Sequence, residues 1–202
     1  MRLAGMFVFI PITLIMPSPS QVAGGQIAST EKKIGIFSQF ALNPAVIEKN
    51  LEDEAEIVKE RAAKAEAIDG YFRERNMPLE GAGLKMVLAA EANGIDWRLL
   101  PAISIRESTG GKNACVKVKN NPFGWASCKI GFKTLDDAIE TVARNLGGNN
   151  PRTEHHYEGK DTKGILRAYN PPSIIPKYVD QVISIMNKIG PLDVSITLIA
   201  EA

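Results

Sequence analysis

The sequence is poor in three things, and each shortage excludes a class of protein. It has only two cysteines in 202 residues. That excludes a four-cysteine zinc site and a disulfide-dense scaffold, and leaves room for one disulfide. It has almost no charge imbalance: 24 basic and 23 acidic side chains give +1 at pH 7, and removal of Arg2 with a cleaved leader would bring this to 0. A chain without a broad positive field lacks the electrostatic footprint of a DNA or RNA binder, so no nucleic-acid partner is expected. It also lacks a long apolar run. The longest, Leu3 to Met16, covers fourteen residues and is broken by Pro11, short of the roughly 20 that cross a bilayer comfortably. The remaining balance, 45% hydrophobic and 23% charged, is that of a globular chain, with length for one ordinary domain and an appendage.

The first segment reads as a targeting element. Residues 3–30 contain no charged side chain, Arg2 and the amino terminus give a small positive start, and Ala23-Gly24-Gly25 is a small-residue site. Residues 1–25 are therefore expected to be a secretory signal, or an uncleaved anchor that attaches the protein to a membrane through residues 3–16. Either implies export, to an extracellular, periplasmic or membrane-anchored location. Cys115 and Cys128, thirteen positions apart, become a natural pair in an oxidising compartment. Such a loop closure is worth about 3 kcal/mol in the chain-entropy account; the alternative is two buried thiols.

Residues 26–43 read as a linker. From 44 to 76 the spacing of Leu51, Ala55, Val58, Ala62, Ala65 and Phe72 predicts a long amphipathic, coiled-coil-like helix, with Pro44 in the first turn and Asp69 interrupting the seam. It is expected to act as a stalk, to pack on the next domain, or to pair with a partner helix. Residues 79–190 read as one compact, mainly α domain. Helices are expected over Gly83–Asn93, Trp97–Glu107, Thr134–Leu146, Thr162–Ala168 and Ile174–Ile189, with Val87, Leu100, Ile103, Ile139, Val142, Leu146, Leu166, Val182 and Ile185 in the core. Residues 112–132 set Val, Phe, Trp and Ile among Gly, Asn, Pro and Lys, and predict a small β-hairpin or irregular lobe pinned by the cysteines. Residues 147–159 form a polar loop and 191–202 a tail.

Few residues in this layout can carry chemistry. Glu107 ends a nearly all-apolar helix just before Thr109-Gly110-Gly111. A carboxylate there is partly desolvated and sits at the negative end of the helix dipole, and both effects favour the neutral acid that a general-acid catalyst requires. The alternative role is an ion pair with Arg106. The turn Asn120-Asn121-Pro122-Phe123-Gly124-Trp125 places amides and aromatics where they can bind hydroxyls and stack on pyranose rings, or plug a small lobe. Tyr169 stands at a helix-to-loop corner; Tyr178 reads first as core. His155 and His156 are adjacent and have no third ligand at metal-site spacing, so no metal and no cofactor is expected.

Four stretches in order carry a resemblance: Ala102-Ile103-Ser104-Ile105-Arg106-Glu107-Ser108; Asn120-Asn121-Pro122-Phe123-Gly124-Trp125; Phe132 with Leu135-Asp136-Asp137-Ala138-Ile139; and Ala168-Tyr169-Asn170-Pro171 with Tyr178-Val179-Asp180. Over residues 80–190 this resembles the bacterial glucosaminidase family, similar to endo-β-N-acetylglucosaminidases, within the lysozyme-like superfamily. The resemblance implies a lysozyme-like α+β domain with a cleft between a helical body and a small β-lobe. It implies cleavage of the β-1,4 bond after N-acetylglucosamine in the glycan strands of peptidoglycan. Glu107 matches the general acid, Tyr169 the cleft tyrosine, and Asn121, Phe123 and Trp125 the substrate-lining turn; Tyr178 joins them as a candidate substrate contact. The departure is that no Asp or Glu lies between Ser108 and Leu135, where many members carry a second carboxylate. Substrate assistance by the 2-acetamido group, a water held by Tyr169, or Glu154 or Glu158 from the polar loop could replace it. A lytic transglycosylase, which works with one Glu, and a non-catalytic glycan-binding domain on a helical stalk are the rival readings.

Overall fold

The computed structural model describes residues 44–193. The expected leader (1–25), the linker (26–43) and the apolar stretch of the tail (194–200) lie outside the described residues. Seven helices are present among the described residues: α1 Pro44–Glu74, α2 Gly83–Ala92, α3 Leu99–Ser108, α4 Leu135–Leu146, α5 Glu154–Tyr157, α6 Thr162–Tyr169 and α7 Tyr178–Ile189. None is long and apolar enough to cross a membrane. The chain is mainly helical, as its periodicity predicts. The compact unit that holds the core begins at Glu48.

The long helix α1 changes character along its length. Leu51, Ile57 and Val58 are exposed, whereas Ala65, Ile68 and Phe72 are buried in the core. Its last three turns are therefore part of the domain's packing. Asp69, which breaks the apolar seam, has a structural task. Its Oδ1 accepts hydrogen bonds from the backbone N–H of Gly81 (2.9 Å) and Gly83 (3.0 Å). The residue preceding α2, Ala82, has no side chain able to cap it, so Asp69 satisfies the orphan donors at that helix start from across the interface. The approach is close enough to require glycine at 83, because a Cβ there would lie 2.4 Å from the Ala65 carbonyl oxygen.

Two helix pairs build the body: α2 against α4, and α3 against α7. Eight of the nine expected core residues are buried, and Ile185 is half-buried. Helix α3 is buried almost all round, which its nearly continuous apolar sequence dictates. Arg98 fastens its start. The guanidinium bonds Asp96 (Nη2–Oδ2 2.7 Å, Nε–Oδ1 3.0 Å) and donates to the Gly190 carbonyl at the end of α7 (3.0 Å). Thr134 and Asp137 form a reciprocal capping box at the start of α4. Helix α7 starts at Tyr178 and not at Ile174. Pro176 disfavours helical backbone at Ile175, and residues 174 and 175 instead bond back to the Pro171 carbonyl.

The lobe at 109–133 contains no strand. Its backbone polar groups are met by side chains rather than by a ladder. The buried Asn121 amide donates to the carbonyls of Trp125 (2.9 Å) and Ile130 (3.0 Å), while its Oδ1 accepts from Trp125 N–H (3.0 Å). Asn120 donates to the carbonyls of Phe132 (3.1 Å) and Lys133 (2.9 Å). Five non-glycine residues, Thr109, Asn120, Ala126, Ser127 and Cys128, sit at φ between 52° and 58°, a region L-residues visit singly and at a cost. Such a path cannot continue a pleated strand. The Cys115–Cys128 disulfide, Cα–Cα 5.5 Å, closes it.

Replacing Asp69 by Ala is expected to lower unfolding free energy by about 1–2 kcal/mol, because two N–H groups lose their acceptor. Replacing the exposed Arg73, which pairs with Glu66 and Glu80, is expected to cost much less, because solvent screens both pairs. Urea unfolding of the two variants measures the difference; equal losses would contradict the capping role.

Candidate active site

Helix α3 delivers Glu107 to a cleft of about 590 Å³ between the helical body and the lobe. The cleft wall on the lobe side is the turn Gly124 to Ser127; the opposite side is built from Thr153, Tyr157, Tyr169 and Asn170, with Ile174 at the edge. Glu107 is half-buried and is the one carboxylate among these lining residues. Its Oε1 accepts a hydrogen bond of 2.7 Å from the Tyr178 hydroxyl. Its Oε2 points past Gly124, where a Cβ would lie only 2.9 Å away and where φ is +63°. Glycine is needed here on both counts, for the left-handed backbone and for room at the carboxylate. Arg106 does not pair with Glu107. Its Nε donates to Gln181 (2.8 Å) and its guanidinium lies 5.6 Å from the centre of the Tyr178 ring.

Three aromatic rings form one stack beside the carboxylate. Tyr169 lies on Tyr178 with ring centres 6.0 Å apart and planes 15° from parallel; Trp125 meets Tyr169 at 5.8 Å and 43°. The Tyr169 hydroxyl donates to the Phe123 carbonyl, tying helix α6 to the lobe. Burial, then the Glu107 charge, push the Tyr169 and Tyr178 phenols well above the usual tyrosine range. Both therefore stay protonated, and Tyr178 remains a donor to Glu107 throughout the working range of any hydrolase. Burial also raises Tyr157, from 10.0 to about 12.

The residues singled out in the sequence separate into two groups. Glu107, Trp125, Tyr169 and Tyr178 come together, although Tyr178 is fully buried and reaches the cleft only through its bond to Glu107. Asn121 and Phe123 are fully buried behind the turn and do not line the cleft. Asn121 spends its amide on the lobe's backbone, and Phe123 presents its carbonyl to Tyr169. Glu154 and Glu158 are exposed on and after α5 and are not cleft-lining residues either.

Of the other cleft residues, Gly124, Asn170 and Pro171 stood in the stretches that carry the resemblance without a role of their own, and Ala126, Ser127, Thr153, Tyr157 and Ile174 carried no site expectation. Tyr157 had a weak signal as the one large aromatic in the polar loop 147–159. The buried Asn145 positions that wall, its Oδ1 accepting from both Asn150 and Thr153. Asn170 Oδ1 is buried without a hydrogen-bond partner among the described residues; its sequence signal was its place in the Ala168–Pro171 stretch. Among the described residues no group of three or more His, Cys, Asp or Glu is arranged to hold a metal.

No protein-family model, curated protein or solved structure matches the chain. What the site can do follows from its own groups. It offers one orientable carboxyl group, one phenol held as a donor, and an aromatic surface beside an open cleft.

The raised Tyr157 gives a stability signature. A phenol that ionises less readily when folded contributes stability that is full below pH 10 and lost as pH rises toward about 12. Tyr157→Phe is expected to lose less stability than the native chain between these values in thermal melts; an identical alkaline loss would contradict the assignment.

Proposed function

We propose that this chain is an exported peptidoglycan hydrolase of the endo-β-N-acetylglucosaminidase type, built as a lysozyme-like domain in which the irregular lobe takes the position of a β-lobe. Glu107 is its general acid. The observation that carries the reading is the setting of that carboxylate: the one acid among the described cleft residues, held at Oε1 by Tyr178 and free at Oε2, beside the neighbouring rings of Trp125 and Tyr169. Export is read from the apolar segment at residues 3–16.

The chemistry follows from the one free oxygen. With Oε1 occupied by the phenol, Oε2 carries the proton to the glycosidic oxygen, and the bond between that oxygen and the anomeric carbon breaks as positive charge builds on the sugar. No second carboxylate is among the described residues that line the cleft. The 2-acetamido carbonyl of the same N-acetylglucosamine therefore attacks the anomeric carbon, closing an oxazoline ring. Water then opens the ring, giving its proton back to Glu107, which now acts as base. Trp125 offers the half-buried face on which a pyranose ring stacks, and Tyr169 braces it from behind.

The single carboxylate also favours a second reading. In a lytic transglycosylase the 6-hydroxyl of the muramoyl sugar replaces water, and one Glu performs both proton transfers. The two reactions differ in product, since hydrolysis leaves a reducing N-acetylglucosamine end and transglycosylation a 1,6-anhydromuramoyl end.

Glu107→Gln keeps the shape of the side chain and removes the proton. Turnover of purified peptidoglycan is expected to fall by about 10²–10⁴, with an unchanged melting curve. Near-native turnover in this variant would overturn the assignment of the acid. Mass analysis of the native products decides between the two reactions.

A further inference from the structure

The overall charge of +1 hides a strong local separation. The 28 residues 108–135 contain Lys112, Lys117, Lys119, Lys129 and Lys133 and not one Asp or Glu, so five of the 24 basic side chains and none of the 23 acidic ones fall in the lobe. All five lysines are exposed, and none forms an ion pair with another described residue. Lys112 donates to the Arg75 carbonyl (2.7 Å); the side-chain nitrogens of the other four bond no described residue. On the body, Arg61, Lys64, Arg73, Arg75, Lys85 and Arg98 sit in salt bridges, and its other basic side chains share it with all of the described Asp and Glu residues, none of which lies in the lobe. Like charges gathered in one short segment with no acidic neighbour in sequence repel one another and raise the local potential. The disulfide and the Asn120 and Asn121 bonds hold that face on the same lobe whose Gly124–Ser127 turn forms a wall of the cleft.

We propose that this lysine face binds the carboxylates borne by the peptide stems of the glycan strand. The inference rests on the proposed function. A strand whose sugars enter the cleft carries its stems out past the rim, and their free carboxylates are the anionic groups nearest the lobe. The face thus selects peptide-bearing, anionic glycan over neutral polymers of the same sugar. Val116, 99% exposed, and Ile130, 43% exposed, stand among the lysines. Two separate apolar side chains make a small patch, so an anionic glycan fits the face better than a lipid surface, and anionic vesicles become the necessary comparison.

The test uses binding, which is independent of cleavage. The full chain carrying Glu107→Gln is sedimented with intact peptidoglycan, with the same glycan stripped of its peptides by an amidase, with chitin, and with vesicles of mixed phosphatidylglycerol and phosphatidylcholine. Tighter binding to the intact material is expected, weakening as salt rises from about 0.1 M to about 1 M and the screening length falls from about 10 Å to about 3 Å. Replacing Lys117, Lys119 and Lys129 together by Ser is expected to raise Kd for intact peptidoglycan about tenfold, as the loss of three exposed ion pairs would. Replacing the same three by Arg should restore it. Unchanged binding by the Ser variant, equal affinity for stripped glycan, or tighter binding to vesicles would each overturn the proposal. Turnover by the unmutated chain separates the two claims. Lysine-dependent binding without cleavage sinks the hydrolase reading and leaves this one standing, and cleavage with lysine-independent binding does the reverse.

Discussion

Glu107 is held by one hydrogen bond, and the geometry of the site depends on it. Tyr178 stands at the first turn of α7 and Glu107 at the last turn of α3. The packing of these two helices brings the phenol under the carboxylate, where it fixes Oε1. Fixing one oxygen leaves a single direction for the other, across Gly124 into the cleft. Arg106, one residue earlier, is drawn to the far side by Gln181 and the Tyr178 ring. The adjacent cation is thereby kept from pairing with the acid. Remove the phenol and neither the direction of Oε2 nor the separation from Arg106 has an evident support.

The body of the molecule was legible because helices announce themselves locally. The apolar spacing of α4, its Thr134–Asp137 cap, the continuous apolar run of α3 and the Gly-Gly stop all lie within a few residues of what they determine. The lobe was legible only as a hairpin or an irregular piece, because what decides between them is side chains reaching backbone groups up to thirteen positions away, as Asn120 does to Lys133. Left-handed Ala126 and Ser127 have no signature in residue type. Asn121 illustrates the ambiguity: an amide in a turn looks the same in sequence whether it faces a ligand or satisfies the chain, and here it satisfies the chain. Asp69 shows the reverse case. It looks like a flaw in a seam and is the cap of another helix.

A division of labour follows. The body supplies the acid, the phenol and two of the three aromatic rings, Tyr169 and Tyr178, on helices fixed by a continuous core. The lobe supplies Trp125, one cleft wall and five exposed lysines with no acidic residue among them. Because the lobe lacks a strand ladder, its shape rests on two asparagines and a disulfide. It can therefore carry strained backbone and repelling lysines at the edge of the cleft without disturbing the helices that orient Glu107. The wall's described residues include no second carboxylate, in keeping with the positive character of the lobe, and in the proposed reaction the second chemical task therefore falls to the substrate's own acetamido group.

The account's central claim is that Glu107 passes a proton to the glycosidic oxygen and water completes the reaction. Digestion of purified peptidoglycan in oxygen-18 water, followed by mass spectrometry of the fragments, tests both halves at once. The account predicts one heavy oxygen at each new reducing N-acetylglucosamine end with the native chain, and no such fragments above background with Glu107→Gln. Equal fragment yield from the two proteins, or no fragments from the native chain, would contradict it.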